Sequence, residues 1–249
     1  MSLNRVILRV YKVCIWLIIM YAAFIISKAS CRIFVGDWFP VNTSSMEPTI
    51  MPGDKIWVNK LIFGARIYKN LDFLRGDSLQ TWRVKGWRKI KRGDVVVFNA
   101  PIQPSEPDSI AFRIDYVYVK RCAGVPGDTL WIPSDGGRRN TGRRDGHRFP
   151  MAVYVPQKGD TLYFNRHNWR LYHTVVDYET KGKAPQKYHV FQNNYYFMCG
   201  DNALHSFDSR SFGFVPEEFI IGVSKRNLFN NKGGWNQKFL NRRIFKRLK

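Results

Sequence analysis

The period of apolar and polar positions changes along the chain. From Val13 to Ile26 (VCIWLIIMYAAFII) every position is apolar or aromatic. Counted from Ile7 to Ser27, with Arg9 and Lys12 reaching back toward headgroups, the stretch attains the roughly 20 residues that cross a bilayer. A cleaved signal peptide also has a basic start and a short apolar core. Here bulky Trp16 and Tyr21 lie inside the segment, and the small residues around Ala29 to Cys31 are interrupted by charge and cysteine. These features favour an uncleaved anchor. Arg5, Arg9 and Lys12 ahead of the span predict a cytoplasmic N-terminus and an exported remainder.

Beyond the anchor the period falls to two. DKIWVNKL (54–61), DVVVFNA (94–100), DYVYVKRCAG (115–124) and YYFMCG (195–200) alternate, are rich in β-branched and aromatic residues, and are bounded by Gly, Pro and Asp, so they predict strands. No long amphipathic helix is read in the exported part. The expected fold class is mostly β: an N-terminal transmembrane helix, then a β-rich domain with an inserted second β region. Residues 131–190 differ in composition, with SDGGRRNTGRRDGHR at 134–148, and read as an insertion carrying a flexible basic loop. The organisation expected is 1–28 cytoplasmic N-terminus and anchor, 29–130 and 191–224 the two parts of one domain, 131–190 the insertion, and 225–249 a basic tail. In that tail Leu240, Ile244 and Leu248 recur every four residues, the spacing of a short amphipathic helix on anionic lipid; a solvated end is the alternative.

Composition sharpens this picture in two respects. The chain of 249 residues carries 40 Lys and Arg against 19 Asp and Glu, a net +21. Nine of the basic residues and none of the acidic ones follow residue 224, leaving 31 against 19 before it. Such charge fits an anionic membrane or a nucleic acid. No RNA- or DNA-binding motif accompanies it, so nucleic acid is not the expected partner. Four cysteines without CxxC or Cys/His spacing make neither a disulfide scaffold nor a metal site. Cys14 lies in the span, and Cys122 with Cys199 stays open as a pair. No cofactor is expected.

Candidate chemistry lies in four blocks: SSMEPTIMPGD (44–54), KRGDVVVF (91–98), VKRCAGVPGDTL (119–130) and CGDNALHSFDSRSFGFVP (199–216). Taken singly, each reads as turn chemistry, since Ser, Thr, Gly, Pro and Asp bond or bend their own backbone. Together, in this order and behind an anchor, they resemble the conserved boxes of bacterial type I signal peptidases, membrane-anchored serine proteases that use a Ser-Lys pair. The likeness leaves out 131–190 and the tail. It implies a signal-peptidase-type β domain in the cytoplasmic membrane, facing the periplasm, that cuts signal-peptide-bearing preproteins after small residues.

Carried over residue by residue, the resemblance makes Ser45 the nucleophile and Lys120 its general base. Thr43 supplies an oxyanion-hole hydroxyl beside the Ser45 N–H, and Ser206 orients the lysine. Arg121, Asp201, Asp208 and Arg210 brace the site. The chemistry is sound on first principles: a serine needs a base, and a lysine serves only when neutral, which burial promotes. His205 beside Ser206 and Asp208 suggests a Ser-His-Asp arrangement, but in an extended segment His205 and Ser206 point opposite ways. Ala203 and Ser44 depart from the family pattern, and neither belongs to the dyad. Two rival readings are a Ser-Lys maturation peptidase with a dedicated substrate and a membrane-tethered basic protein that binds nucleic acid.

Overall fold

The computed structural model describes residues 3–69, 81–103, 106–132, 151–182, 187–230 and 247–248. The basic loop expected at 134–148 lies outside the described residues, as do residues 231–246 of the tail. Helix α1 (Leu3–Phe34) leads into β1 (Gly36–Pro40) and β2 (Asp54–Asn59). A ribbon of β3 (Arg66–Tyr68) and β4 (Thr81–Arg83) follows, then β5 (Val95–Asn99), a ribbon of β6 (Ile102–Gln103) and β7 (Glu106–Ile110), and β8 (Val117–Gly124). Next come β9 (Thr129–Ile132), which pairs with β10 (Met151–Tyr154), and β11 (Thr161–Tyr163), which pairs with β12 (Tyr188–Val190) across helix α2 (Arg166–Thr180). The chain continues through β13 (Tyr195–Cys199), α3 (Ser209–Phe212), β14 (Val215–Pro216) and β15 (Ile220–Asn230).

The apolar N-terminal run forms one helix whose stretch Ile7–Phe34 is long and apolar enough to cross a membrane. Its last carbonyls do not fray. Val35 N–H donates to Cys31 O at 2.9 Å, and Lys60 Nζ reaches from the far end of β2 to Arg32 O at 2.7 Å. These bonds satisfy acceptors that a helix C-terminus otherwise leaves to water, and they join α1 to the sheet.

Seven strands form one antiparallel sheet in the order β1-β2-β15-β5-β8-β13-β14. β5, with its sequence VVVFN, is buried at every position. Both of its faces are covered, which explains an apolar run where a one-sided strand would alternate. Val96 and Phe98 enter a cluster with Cys122, Met198, Phe212 and Phe219, while Val95 and Val97 enter another with Val41, Met46, Ile50, Ile56 and Val58. The third cluster, Val153, Val155, Tyr172, Val175 and Phe191 with Tyr195, Phe197 and Phe214, packs the inserted region onto β13 and its neighbours.

The mostly β class holds, with one correction inside the insertion: α2 is an amphipathic helix of 15 residues where only β structure was expected. Asn165 and Asn168 cap it reciprocally, each side-chain Oδ1 accepting from the other's N–H at 2.9 and 2.7 Å, an asparagine version of the capping box. At the other end Lys181 and Gly182 have φ of 55° and 75°, and Gly182 N–H returns to Asp177 O at 3.0 Å, a Schellman closure. Tyr172, Val175 and Val176 are its buried face. One turn on, the fully buried Glu179 carboxylate accepts from His189 Nε2, the N–H groups of Gln192 and Asn193, Asn193 Nδ2 and Tyr195 Oη, all within 3.0 Å.

β15 runs past residue 224, with Arg226, Asn227, Phe229 and Asn230 in register with Trp57 to Asp54 of β2. The first residues of 225–249 are therefore sheet. At the far end Arg247 bridges Arg226, and Leu248 N–H donates to Lys225 O at 2.9 Å. Leu248 packs on the cluster around Met46 as extended chain, where the sequence offered either the end of a lipid-bound helix or a solvated end. Its apolar contact is made with the sheet.

Candidate active site

The segment 41–53 joins β1 to β2 and carries Thr43, Ser44 and Ser45. Its ends are tied by Val41 N–H to Asp54 O at 2.8 Å and Gly53 N–H to Val41 O at 2.7 Å. Met46 and Ile50 are fully buried beneath it. The hydroxyl run, which alone reads as a polar loop, is thereby held against the core. Ser45 is 5% exposed, low for a loop serine.

Lys120 lies on β8, opposite Val96 of β5. The period of two puts it on the face shared by Tyr118 and Cys122, beside the first cluster. Its side chain is 4% exposed, Nζ stands 5.4 Å from the centroid of the Tyr118 ring, and Nζ is 2.5 Å from Ser45 Oγ. Burial lowers its pKa to about 8; Asp208 pulls it back up, and Arg210 pushes it further down. Thr43 Oγ1 lies 3.4 Å from Ser45 Oγ, so both hydroxyls and the amine converge.

The chain after β13 closes over this pair. Asn202 N–H donates to Ser45 O at 3.0 Å and Asn202 Nδ2 to Ser44 O at 3.1 Å. Ser206 is buried, and its Oγ makes no well-formed hydrogen bond. Asp208 anchors the turn, accepting from Gly200 N–H at 2.8 Å and from Arg210 Nε and Nη2 at 2.9 and 2.5 Å. Burial opposes its charged form, but Arg210, the nearby Ser206 hydroxyl and the Gly200 N–H outweigh that and hold its carboxyl below the usual range. Gly200 has no room for a side chain: a Cβ there would stand 2.1 Å from Ser206 Oγ and 2.5 Å from Ser45 O.

Arg121 follows Lys120 and points the other way. It forms a paired contact with Asp201 at 2.8 and 2.7 Å and donates to Gly93 O at 2.8 Å. The structure thus brings Ser45, Lys120 and Thr43 together, places Ser206 beside Gly200 next to the Ser45 carbonyl, and sets Asp208 with Arg210 and Arg121 with Asp201 as two ion pairs around them. Sequence reasoning missed Asn202, Gly200 and the Tyr118 ring. All three lie within the recognised blocks or one residue outside them, and the glycine's role needed the path of the backbone. His205 is exposed and ends a 3-10 turn, Ala203–His205, while Ser206 is extended at φ −117°. His205 is exposed and Ser206 buried, but the extended segment expected to separate them is a 3-10 turn up to His205.

Cys122 and Cys199 are free thiols, and burial pushes both up to about 12, which leaves them poor nucleophiles. Among the described residues no group of three His, Cys, Asp or Glu is placed to hold a metal.

The chain matches the family model described as signal peptidase, peptidase S26, over residues 12–229. It is 30% identical over 217 residues to a signal peptidase I of Rickettsia conorii, covering 82% of this chain and 75% of that protein. It is 31% identical over 215 residues to a signal peptidase I of Rickettsia prowazekii, with 82% and 76% covered. With that match running from inside the apolar helix to the end of β15, around a buried serine and lysine, the chain belongs to the peptidase S26 family of signal peptidases and is a serine endopeptidase.

Proposed function

We propose that this chain is a single-pass enzyme of the cytoplasmic membrane that removes signal peptides from exported preproteins, with Ser45 as nucleophile and Lys120 as general base. The observation that carries the reading is the 2.5 Å contact between a buried amine and a buried hydroxyl. With its pKa lowered to about 8, an appreciable fraction of Lys120 is neutral near neutral pH. The neutral amine takes the Ser45 proton as Oγ attacks the scissile carbonyl, and the ammonium then gives that proton to the leaving amine. The same amine next activates water to release the acyl group. Thr43 Oγ1 and the Ser45 N–H receive the oxyanion, and such a donor is worth roughly 3 to 4 kcal/mol at the transition state. The family resemblance gives Ser206 the role of orienting the lysine, and Asp208 with Arg210 anchors the turn that carries it. Arg121 and Asp201 tie β8 to the turn after β13.

Substrate docking follows from the ladder. β8 pairs with β5 from Val117 to Arg121, but with β13 only from Arg121 onward. Among the described residues, this leaves one backbone edge of 117–119 beside the dyad for an extended peptide to join as an added strand. Cutting after small residues is carried from the family resemblance. The charges of Arg5, Arg9 and Lys12 support a cytoplasmic N-terminus and an exported domain. The division we propose is a catalytic domain of 29–130 and 191–224, which β15 extends to Asn230, with 131–190 inserted; the cluster around Tyr172 joins that insertion to β13.

The test is incubation of the detergent-solubilised chain with a secreted precursor and mass determination of the new N-terminus. Ser45→Ala, Lys120→Met and Lys120→Arg should each abolish cleavage, because a guanidinium stays protonated. Ser206→Ala should lose a substantial part of the rate, and His205→Ala should keep most of it. An active Lys120→Met enzyme beside an inactive His205→Ala enzyme would replace the dyad with a histidine mechanism.

A further inference from the structure

Where α1 meets the sheet, a cleft of about 520 Å³ opens between the last turns of the helix and the β1–β2 hairpin. Phe24, Lys28 and Arg32 recur at the spacing of one helix face and line one wall; Asp37, Trp38 and Trp57 line the other. Trp38 is half exposed and packs edge-on against Trp57, with ring centroids 4.7 Å apart. The volume lies within the range of small-ligand sites, and the walls combine aromatic rings with cations.

The depth of this cleft follows from the helix. With Arg9 and Lys12 reaching one headgroup layer, a crossing of about 20 residues brings the chain to the second layer between Lys28 and Arg32. The cleft therefore faces phospholipid headgroups, the level at which Trp and basic side chains concentrate. Its charge selects among them. Asp37 Oδ2 is taken by Arg32 Nε and Nη2 at 3.1 and 2.9 Å, and Oδ1 by the Trp38 N–H at 2.9 Å. Both oxygens of Asp37 are thus engaged, and its charge is offset by the Arg32 guanidinium. Lys28 is exposed, and Arg32 keeps further N–H groups, so two cations face one occupied carboxylate.

We infer that this cleft binds the headgroup of an anionic phospholipid, its phosphate between Lys28 and Arg32 and its glycerol side against Trp38. The inference rests on α1 spanning the membrane, as proposed above, and adds a defined lipid site at the join of anchor and domain. Such a site would hold the catalytic domain at a set orientation to the surface from which substrates emerge.

The test uses the full chain reconstituted in vesicles of phosphatidylcholine alone or mixed with phosphatidylglycerol. Flotation reports insertion, and native mass spectrometry after mild solubilisation reports retained lipid. The wild-type chain should float with both and retain one phosphatidylglycerol in preference to phosphatidylcholine. Lys28→Gln should lower that retention about fivefold, the weight of one surface cation on an anionic lipid, and Trp38→Leu should lower it too. Lys158→Gln, which removes an exposed charge elsewhere, should leave it unchanged. Flotation with equal retention of both lipids, or a Lys28→Gln chain that retains as much as wild type, would overturn the site alone. Failure to float would overturn the anchoring reading and the site with it.

Discussion

Replacing Lys120 by Met should kill the enzyme and make its fold more stable. The amine is lowered from 10.5 to about 8 chiefly by burial, so the folded domain binds the Lys120 proton less tightly than the unfolded chain does. Stability therefore rises as pH increases from about 8 to about 10.5, and below 8 the full penalty is present. A shift of that size corresponds to about 3 kcal/mol. Met fills a similar volume without a charge. It leaves Ser45 Oγ short of one partner, a loss of about 1 kcal/mol. The expected net gain is about 2 kcal/mol at pH 7, a rise in melting temperature of about 4 to 8 °C for a domain of this size. The assay is thermal unfolding of the detergent-solubilised protein followed by tryptophan fluorescence, with wild type and variant compared at pH 7 and pH 10.5. At the higher pH the gain should vanish and the lost bond should leave the variant slightly weaker. A variant less stable than wild type at pH 7, or a gap that does not change with pH, would refute the claim that burial destabilises the Lys120 ammonium.

The same shift sets the pH profile: kcat/KM should rise about tenfold per pH unit below 8 and level off above it, since the neutral amine is the active form. Asp208→Asn should move that inflection to lower pH, because the carboxylate raises Lys120; a profile flat from pH 6 to 9 would contradict both. Gly200→Ala should lower kcat by at least about 100-fold, since its Cβ would displace Ser206 and the Ser45 carbonyl and a shift of about 1 Å suffices for such a loss; single-turnover kinetics on a preprotein would measure it. Glu179→Gln should destabilise the insertion by about 2 to 3 kcal/mol, since an amide cannot accept all five donors. Hydrogen exchange at residues 189–195 should accelerate, while kcat per folded molecule stays near wild type.

The sequence disclosed the site more fully than the fold around it. Ser45 stood out as a candidate because Lys120 and the 199–216 block accompany it, and the proposed roles that depend on residue type alone carry over with the blocks. The four strands centred on residues 56, 97, 120 and 197 emerged because their β-branched and aromatic residues are dense and their ends are marked by Gly, Pro or Asp. α2 escaped because RHNWRLYHTVVDYET presents its buried face as Tyr172, Val175 and Val176, residue types that read as strand. Its Asn165–Asn168 cap was a usable signal. The end of β15 escaped because Lys225 and Arg226 read as a tail, while their backbone continues the ladder with β2. Gly200 and Asn202 act through backbone geometry that no single residue type announces.

β8 carries Lys120 on one face and Arg121 on the other, so the proposed dyad forms in one pairing register only. Opposite it, β5 offers Val95, Val96 and Val97 in succession, which would accept a neighbouring alignment with little change in apolar burial. A slip of one residue would turn Lys120 outward and Arg121 into the core. The choice is made at the turn before β5, where Gly93 N–H donates to Cys122 O and Cys122 N–H to Asp94 O, each at 2.8 Å. That small clasp fits the observed register, and a slip would break it. A misaligned molecule would keep its strands and its circular dichroism yet cleave nothing, so the fraction of folded molecules that turn over substrate measures how faithfully two strands found each other.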